Sequence, residues 1–216
     1  MSADANRILY GYWRSSAAYR VRLALAFKGL GYKSKAIDLR SGAQSGIGFT
    51  MLNPQGLVPY LIDGDVGLNQ SLAIIEYIDE TYPDPPLLPG DAVARARIRA
   101  AALTIACDIH PLNNLRVLNY LKGPLAVAPE SVDLWAEHWI TTGFAALEET
   151  AATSTGRYLF GDSVTLADLC LIPQMYNARR IRADLTAFPS MVAIDKKLNA
   201  LPMLRKARPE AQPDAV

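Results

Sequence analysis

The chain has 216 residues and a net charge of +1, with half of its residues hydrophobic and a fifth charged. That length admits one large domain or two modest ones around a real core, and the balanced charge offers no bulk field for nucleic acid. Two cysteines (Cys107, Cys170) and two histidines (His110, His138) are too few for disulfide staples or a metal centre, and no apolar run is long enough to span a membrane.

The polar residues before Arg7 lack the apolar stretch of a signal peptide, so a cytoplasmic location is expected. Residues 8–10 read as a short strand and 17–28 as a helix, ended by Gly29 and Gly31. Residues 32–38 read as a second strand. The stretch 39–49, rich in Gly, Ser and Gln, reads as a mobile loop. Residues 59–62 and 65–68, joined through Asp63-Gly64, read as a hairpin. Residues 71–82 read as a helix with Ile74, Ile75, Ile78 and Tyr82 on its apolar face. The order is β-α-β, loop, β-β-α, an α/β domain over residues 1–83.

Pro83, Pro85, Pro86 and Pro89 cannot continue a helix and mark a linker at 84–89. An all-helical domain is expected over 90–216. Its first helix spans 91–121 and is interrupted at Pro111. A second spans 129–151, with Trp135 and Trp139 one turn apart as core residues. Thr165-Leu-Ala-Asp168 is a capping box, which makes Asp168 structural. A last helix runs from Pro189 to about Leu201, and the tail beyond it reads as irregular surface chain. Cys107 and Cys170 fall in apolar helical patterns and read as buried.

Three segments carry chemistry. Arg14-Ser15-Ser16 stands at the entrance of the first helix, where free N–H groups and positive partial charge suit a thiolate or carboxylate. The same residues also fit a plain serine cap beside solvated arginines, Arg20 among them. Val58-Pro59 precedes a strand; with a cis bond, the Val58 backbone could face outward and pair with an extended peptide, and otherwise this is an ordinary strand entrance. Gln70-Ser71 opens the next helix, as an anion site or a plain cap. All three are expected at the same edge of one small sheet, where a tripeptide with two carboxylates could span them.

The stretches Tyr12-Trp-Arg-Ser-Ser, Asn53-Pro with Val58-Pro59, Asn69-Gln-Ser-Leu-Ala-Ile-Ile-Glu76, Asp108-Ile-His-Pro-Leu-Asn-Asn114 and Gly161-Asp-Ser-Val-Thr-Leu-Ala-Asp168 resemble the zeta class of glutathione transferases. That class includes maleylacetoacetate and maleylpyruvate isomerases, and the resemblance runs from Ile8 to about Pro213. It implies a thioredoxin-like N-terminal domain with Pro59 cis, an all-α C-terminal domain, and a homodimer. It implies glutathione as cofactor, with the thiolate near Ser15 and Ser16, the cysteinyl part paired with Val58, and the γ-glutamyl carboxylate at Gln70 and Ser71. Gln44 would touch the glycyl end, and His110 and Asn114 would close over the site with Arg116. Arg14, Arg116 and Arg180 would face substrate carboxylates. Many members read Ser-Ser-Cys where this chain has Ala17, so inactivation chemistry at that cysteine is not expected here.

The implied activity is glutathione-dependent cis–trans isomerisation of a small maleyl keto-diacid, with maleylacetoacetate favoured. Maleylpyruvate is the alternative, as is a transferase or dehalogenase acting on α-halo acids. Such isomerisation needs a thiolate, donors for a developing enolate with Arg14 foremost, and guanidinium forks for two carboxylates; it needs no metal. A non-enzymatic binding module is the rival of a different class. The rival reading of His110 is service to the kink at Pro111, and that of Arg179 and Arg180 is complement to the helix dipole.

Overall fold

The computed structural model describes residues 6–216, so most of the polar N-terminal stretch read for a signal peptide lies outside the described residues. Strand β1 (Arg7–Gly11) leads through a turn to helix α1 (Ser16–Phe27), and β2 (Lys33–Ala36) returns parallel to β1. After a 3₁₀ turn (Ala43–Ser45) and a single-turn helix α2 (Ile47–Thr50) come β3 (Tyr60–Asp63), β4 (Val66–Asn69) and α3 (Ser71–Thr81). The four-stranded sheet has the order β2-β1-β3-β4, with β3 antiparallel to both of its neighbours. This is the thioredoxin-like arrangement that the resemblance implies.

The stretch 39–49 is more structured than its composition predicts. Phe49 is buried and its ring lies 6.0 Å from Tyr10, which anchors α2 to the sheet. Helices α1 and α3 pack together and bury Val21, Leu25, Ile74, Ile75 and Ile78 with Leu9 and Leu61 of the sheet. Buried charges are matched rather than bare. Arg7 pairs with Asp63 at 3.2 Å and also donates to Gly31 O and the Tyr82 hydroxyl. Lys28 Nζ holds Asp79 at 2.6 Å together with the Tyr82 and Pro85 carbonyls, which ties the end of α1 to the end of α3.

The chain divides into two compact units, one comprising the described residues up to Pro86 together with Leu201–Val216, the other Leu87–Ala200. Two expectations change. The proline segment is no free linker: Leu87 and Leu88 are buried, and Leu87 O accepts the Leu166 N–H at 2.9 Å. The tail, expected in the helical domain and irregular, instead folds into two 3₁₀ segments, Pro202–Ala207 and Pro209–Ala211, within the first unit. Leu204 and Ala207 bury their side chains there, which an exposed tail could not do.

The second unit contains α4 (Ala92–Leu103), α5 (Leu115–Lys122), α6 (Pro129–Thr153), α7 (Leu166–Arg180) and α8 (Pro189–Ala200). The first long helix breaks earlier and more widely than Pro111 alone predicts. Thr104–Ile109 widen into π-type turns and His110–Asn113 tighten into a 3₁₀ turn. Proline has no N–H to give and crowds the carbonyl four residues back, so the distortion spreads upstream. Gly143 of α6 makes room for it, since a Cβ there would collide with Ile109. Cys107, on this distorted stretch, is exposed and not buried as expected, whereas Cys170 is buried. Trp135 and Trp139 meet edge-on at 5.7 Å and are only half-buried.

Asp168 closes the capping box of α7. Its carboxylate accepts from Thr165 N–H (2.8 Å), the Thr165 hydroxyl (2.7 Å) and Leu159 N–H (3.0 Å). Burial pushes its pKa up to about 6 from 3.8, against these donors. The folded state therefore holds this proton more tightly than the unfolded chain, so the stability this group contributes is fully present below pH 3.8 and lost as pH rises through about 6. We expect the stability of the wild type relative to Asp168→Asn, measured by urea unfolding, to shrink between pH 3.8 and about pH 6 and to level off above that. Asp168→Ala, which strips the acceptor from all three donors, should lose about 3 kcal/mol at neutral pH.

Candidate functional site

The first unit builds its site from the register of its strands. Tyr10 of β1 pairs with Tyr60 of β3, and Tyr60 with Asn69 of β4. Because β3 runs opposite to both neighbours, the end of β1, the start of β3 and the end of β4 share one edge of the sheet. The three sequence segments leave from that edge: Arg14-Ser15-Ser16 after β1, Val58-Pro59 before β3, and Gln70-Ser71 after β4.

At the first segment, Ser15 N–H donates to Tyr12 O at 3.0 Å, closing a turn, and Ser15 Oγ accepts the Ala18 N–H at 3.3 Å as the N-cap of α1. A hydroxyl that accepts in this way still has its own proton to donate. Ser16 is the first residue of the helix, and Ala17 is half-buried beside it. Arg14 is exposed, with its guanidinium 5.2 Å from the Trp13 ring centroid. Tyr12 is buried and Tyr10 stacks obliquely on Phe49 and Tyr60, so both form walls.

At the second segment, the Val58–Pro59 bond is cis and Pro59 is buried. The backbone of Val58 takes part in no hydrogen bond among the described residues. Asn53 braces the approach to this bond, donating to Leu57 O at 2.7 Å and accepting from Gln55 N–H. Gln44 lies close by, since a Cβ at Gly56 would meet the Gln44 carbonyl oxygen at 3.3 Å. Gln44 Oε1 is buried with no donor among the described residues.

At the third segment, Gln70 takes a positive φ of 66° and its side chain reaches Gln55 at 3.1 Å. Gln70, not Ser71, occupies the cap position of α3, and it makes no side-chain cap bond. The capping role foreseen for Ser71 is therefore replaced by another. Its hydroxyl accepts from Arg20 Nη1 at 3.3 Å, which leaves the first N–H groups of α3 without a side-chain cap. Arg20 is 1% exposed, contrary to a solvated arginine.

In the second unit, Asn114 caps α5 by accepting Arg116 N–H (3.1 Å), while its amide group meets His110 Nε2 at 3.3 Å. Both ends of Asn114 are thus engaged in holding the broken helix. Arg116 is exposed at the start of α5. The two arginines closing α7 divide their work. Arg179 pairs with the buried Asp195 of α8 at 2.6 Å, whereas Arg180 is exposed and donates to Asn177 Oδ1 at 2.8 Å. Asn177 in turn donates to Asn113 Oδ1 at 2.9 Å, and Asn113 to Ile109 O at 2.7 Å. This relay through two buried asparagines, which orients Arg180, went unseen in the sequence; the spacing of Asn177 and Arg180, one turn apart, was its signal.

A separate groove of about 830 Å³ runs between α4 and the end of α6, lined by Ala94, Arg97, Ile98, Leu147 and Thr150, and holds none of the predicted site residues. Among the described residues there is no cluster of three metal-ligating side chains and no helix long and apolar enough to cross a membrane.

Residues 5–80 match the family model described as glutathione S-transferase, N-terminal domain. The whole chain is similar to a probable maleylacetoacetate isomerase of Vibrio cholerae serotype O1, 52% identical over 210 residues that cover 96% of this chain and 98% of the relative. Among solved structures it is similar to the holo form of a maleyl pyruvate isomerase, a bacterial glutathione S-transferase in the zeta class, with a TM-score of 0.95 and 44% identity over 97% of this chain and 100% of that one. It is also similar to a maleylacetoacetate isomerase from Methylobacterium extorquens AM1 with bound malonate and GSH, with a TM-score of 0.93 and 40% identity over 97% of this chain and 99% of that one. Likeness of this order in sequence and in fold, along nearly the full length, shows that the chain belongs to the zeta-class glutathione transferase family.

Proposed function

We propose that this protein is a glutathione-dependent cis–trans isomerase that converts maleylacetoacetate to fumarylacetoacetate, with maleylpyruvate the nearest competing substrate. The observation that carries the reading is the Tyr10–Tyr60–Asn69 row, which sends three donor-bearing turns off one sheet edge, in a chain similar along its length to isomerases of both kinds.

The residues at this edge fit glutathione. Val58 offers a free backbone N–H and C=O, as pairing with a cysteinyl residue requires. The uncapped entrance of α3 at Gln70 and Ser71 suits the γ-glutamyl carboxylate. The buried, donorless Gln44 Oε1 suits an amide N–H from the glycyl end. When bound, glutathione supplies a thiol sulfur that adds to the substrate alkene and leaves again, so that the bond between can rotate.

The protein's part is electrostatic and positional. The Ser15 hydroxyl proton, Ser16 and the positive end of α1 favour an ionised sulfur over a protonated one. Arg14 supplies a full positive charge where negative charge gathers on a carbonyl oxygen. Arg180, held by Asn177, and Arg116 take the substrate carboxylates, since guanidinium binds them bidentately. We assign the protein to the cytosol, where glutathione stays reduced. Met51 and Val66 in the first unit and Val93 and Leu103 on α4 expose apolar side chains, which supports a homodimer.

Mixing the protein with glutathione and either maleyl substrate should give the fumaryl product with glutathione recovered unchanged. No turnover of either substrate sinks the proposal, and stoichiometric conversion of glutathione to a stable thioether would point to the transferase alternative. Arg180→Ala should raise KM for the diacid about tenfold or more and leave a neutral electrophile unaffected. Asn177→Ala should act in the same direction but less. Sedimentation should return a mass near twice 23.5 kDa; a monomer at micromolar concentration would refute the dimer.

A further inference from the structure

The turn that delivers Arg14, Ser15 and Ser16 is held from outside its own neighbourhood. Trp13 N–H donates to Asp214 Oδ2 at 2.9 Å, across 201 residues of sequence. Trp13 O accepts from Arg22 Nη2 at 2.8 Å, and Tyr12 O from Arg22 Nη1 at 3.4 Å. Both backbone groups of Trp13, two residues before the Ser15 cap, are thus fixed by side chains. Arg22 makes a third bond, from Nε to the carbonyl of Ala207 in the tail, at 2.9 Å. The tail is itself locked. Gln212 is buried and its Nε2 donates to Lys206 O (2.9 Å) and Arg208 O (2.8 Å), which fixes the chain just before Asp214.

We propose that Asp214 and Arg22 are positioning residues for the reaction: the C-terminal tail braces the Tyr12–Ser15 turn, and so sets the direction in which the Ser15 hydroxyl and the α1 entrance meet the glutathione sulfur. The inference rests on the functional reading above and adds to it a remote carboxylate that touches no reactant.

The physical logic is one of preorganisation. A hydroxyl and a helix end stabilise a thiolate only if they are already aimed at it. The turn has one bond of its own, Ser15 N–H to Tyr12 O, and is followed by a helix whose first turn holds no acidic residue. Without the brace, Trp13 N–H would be left to water and the turn free to rotate about its single closure. Arg22 serves well because it is buried and fork-shaped, so one side chain reaches three carbonyls. Burial lowers its pKa to about 10, which leaves it charged at neutral pH.

The test compares wild type with Asp214→Ala, Asp214→Asn and a chain ending at Gln212. The readouts are the pH titration of the bound glutathione thiol by its thiolate absorbance, hydrogen exchange of the Trp13 and Ser15 amides without glutathione, and kcat and KM for the maleyl diacid. Asp214→Ala and the shortened chain should speed exchange of both amides about tenfold, raise the thiol pKa toward its free value and lower kcat about tenfold with KM for the diacid little changed. Asp214→Asn keeps an oxygen acceptor for Trp13 N–H and should restore most of each effect. If Asp214→Ala keeps wild-type exchange and a wild-type thiol titration, the brace is overturned, whatever the enzyme's substrate. If the wild type itself leaves the bound thiol at its free value, the functional reading falls first and this inference with it.

Discussion

Opposed strand direction at one sheet edge is the constraint on which the first unit's chemistry depends. With β3 antiparallel to β1 and β4, Tyr10, Tyr60 and Asn69 stand in one row, and three chain segments must turn there. Each turn carries polar backbone that the sheet no longer satisfies. One opens a helix through Ser15, one leaves Val58 unpaired, and one opens α3 at Gln70 with an unusual backbone angle. A slip of one residue in either pairing would invert every side chain on the strand and bury Leu9 and Leu61 on the wrong face. The core therefore enforces the alignment on which the polar edge relies.

Arginine occurs in two settings, divided by burial. Arg7, Arg20 and Arg22 lie inside the first unit and hold strands, helices and turns through their several donors. A buried guanidinium is costly unless its N–H groups find acceptors, and Arg22 finds three backbone carbonyls while Arg7 divides its bonds between one carbonyl, Asp63 and the Tyr82 hydroxyl. Arg14, Arg116 and Arg180 have exposed side chains, and it is these that the proposed function sets against substrate carboxylates. Arg179 is exposed as well but is committed to Asp195, so exposure alone does not identify a ligand-binding arginine.

The second unit achieves order around a deliberate break. Pro111 prevents a continuous helix, and the wide turns before it put Ile109 against Gly143 and leave the Ile109 carbonyl for Asn113. Asn177 extends that bond to Arg180 on α7, and Trp135 caps the Leu112 carbonyl at 2.7 Å. The distortion thus becomes the origin of a hydrogen-bonded line that ends on a charged side chain.

Much was legible from the residues alone. Strand and helix order, the hairpin expected over residues 59–68, a serine cap at the first helix and the box at Asp168 follow from local rules of turn, cap and periodicity, whereas the cis bond before Pro59 was implied only by the resemblance to the zeta class. Local patterns sufficed for the former because each of those features is settled by atoms within one or two turns of chain. The sequence did not reveal that Arg20 is buried on Ser71, that Cys107 is exposed, that the tail joins the first unit, or that Asp214 holds Trp13. These outcomes depend on which distant segments meet, and a side chain's partner across 201 residues leaves no mark on the spacing around it. The sequence alone determined what kinds of groups stand at each helix entrance; only the tertiary structure decided which way they point, because that direction is set by acceptors contributed from elsewhere in the fold.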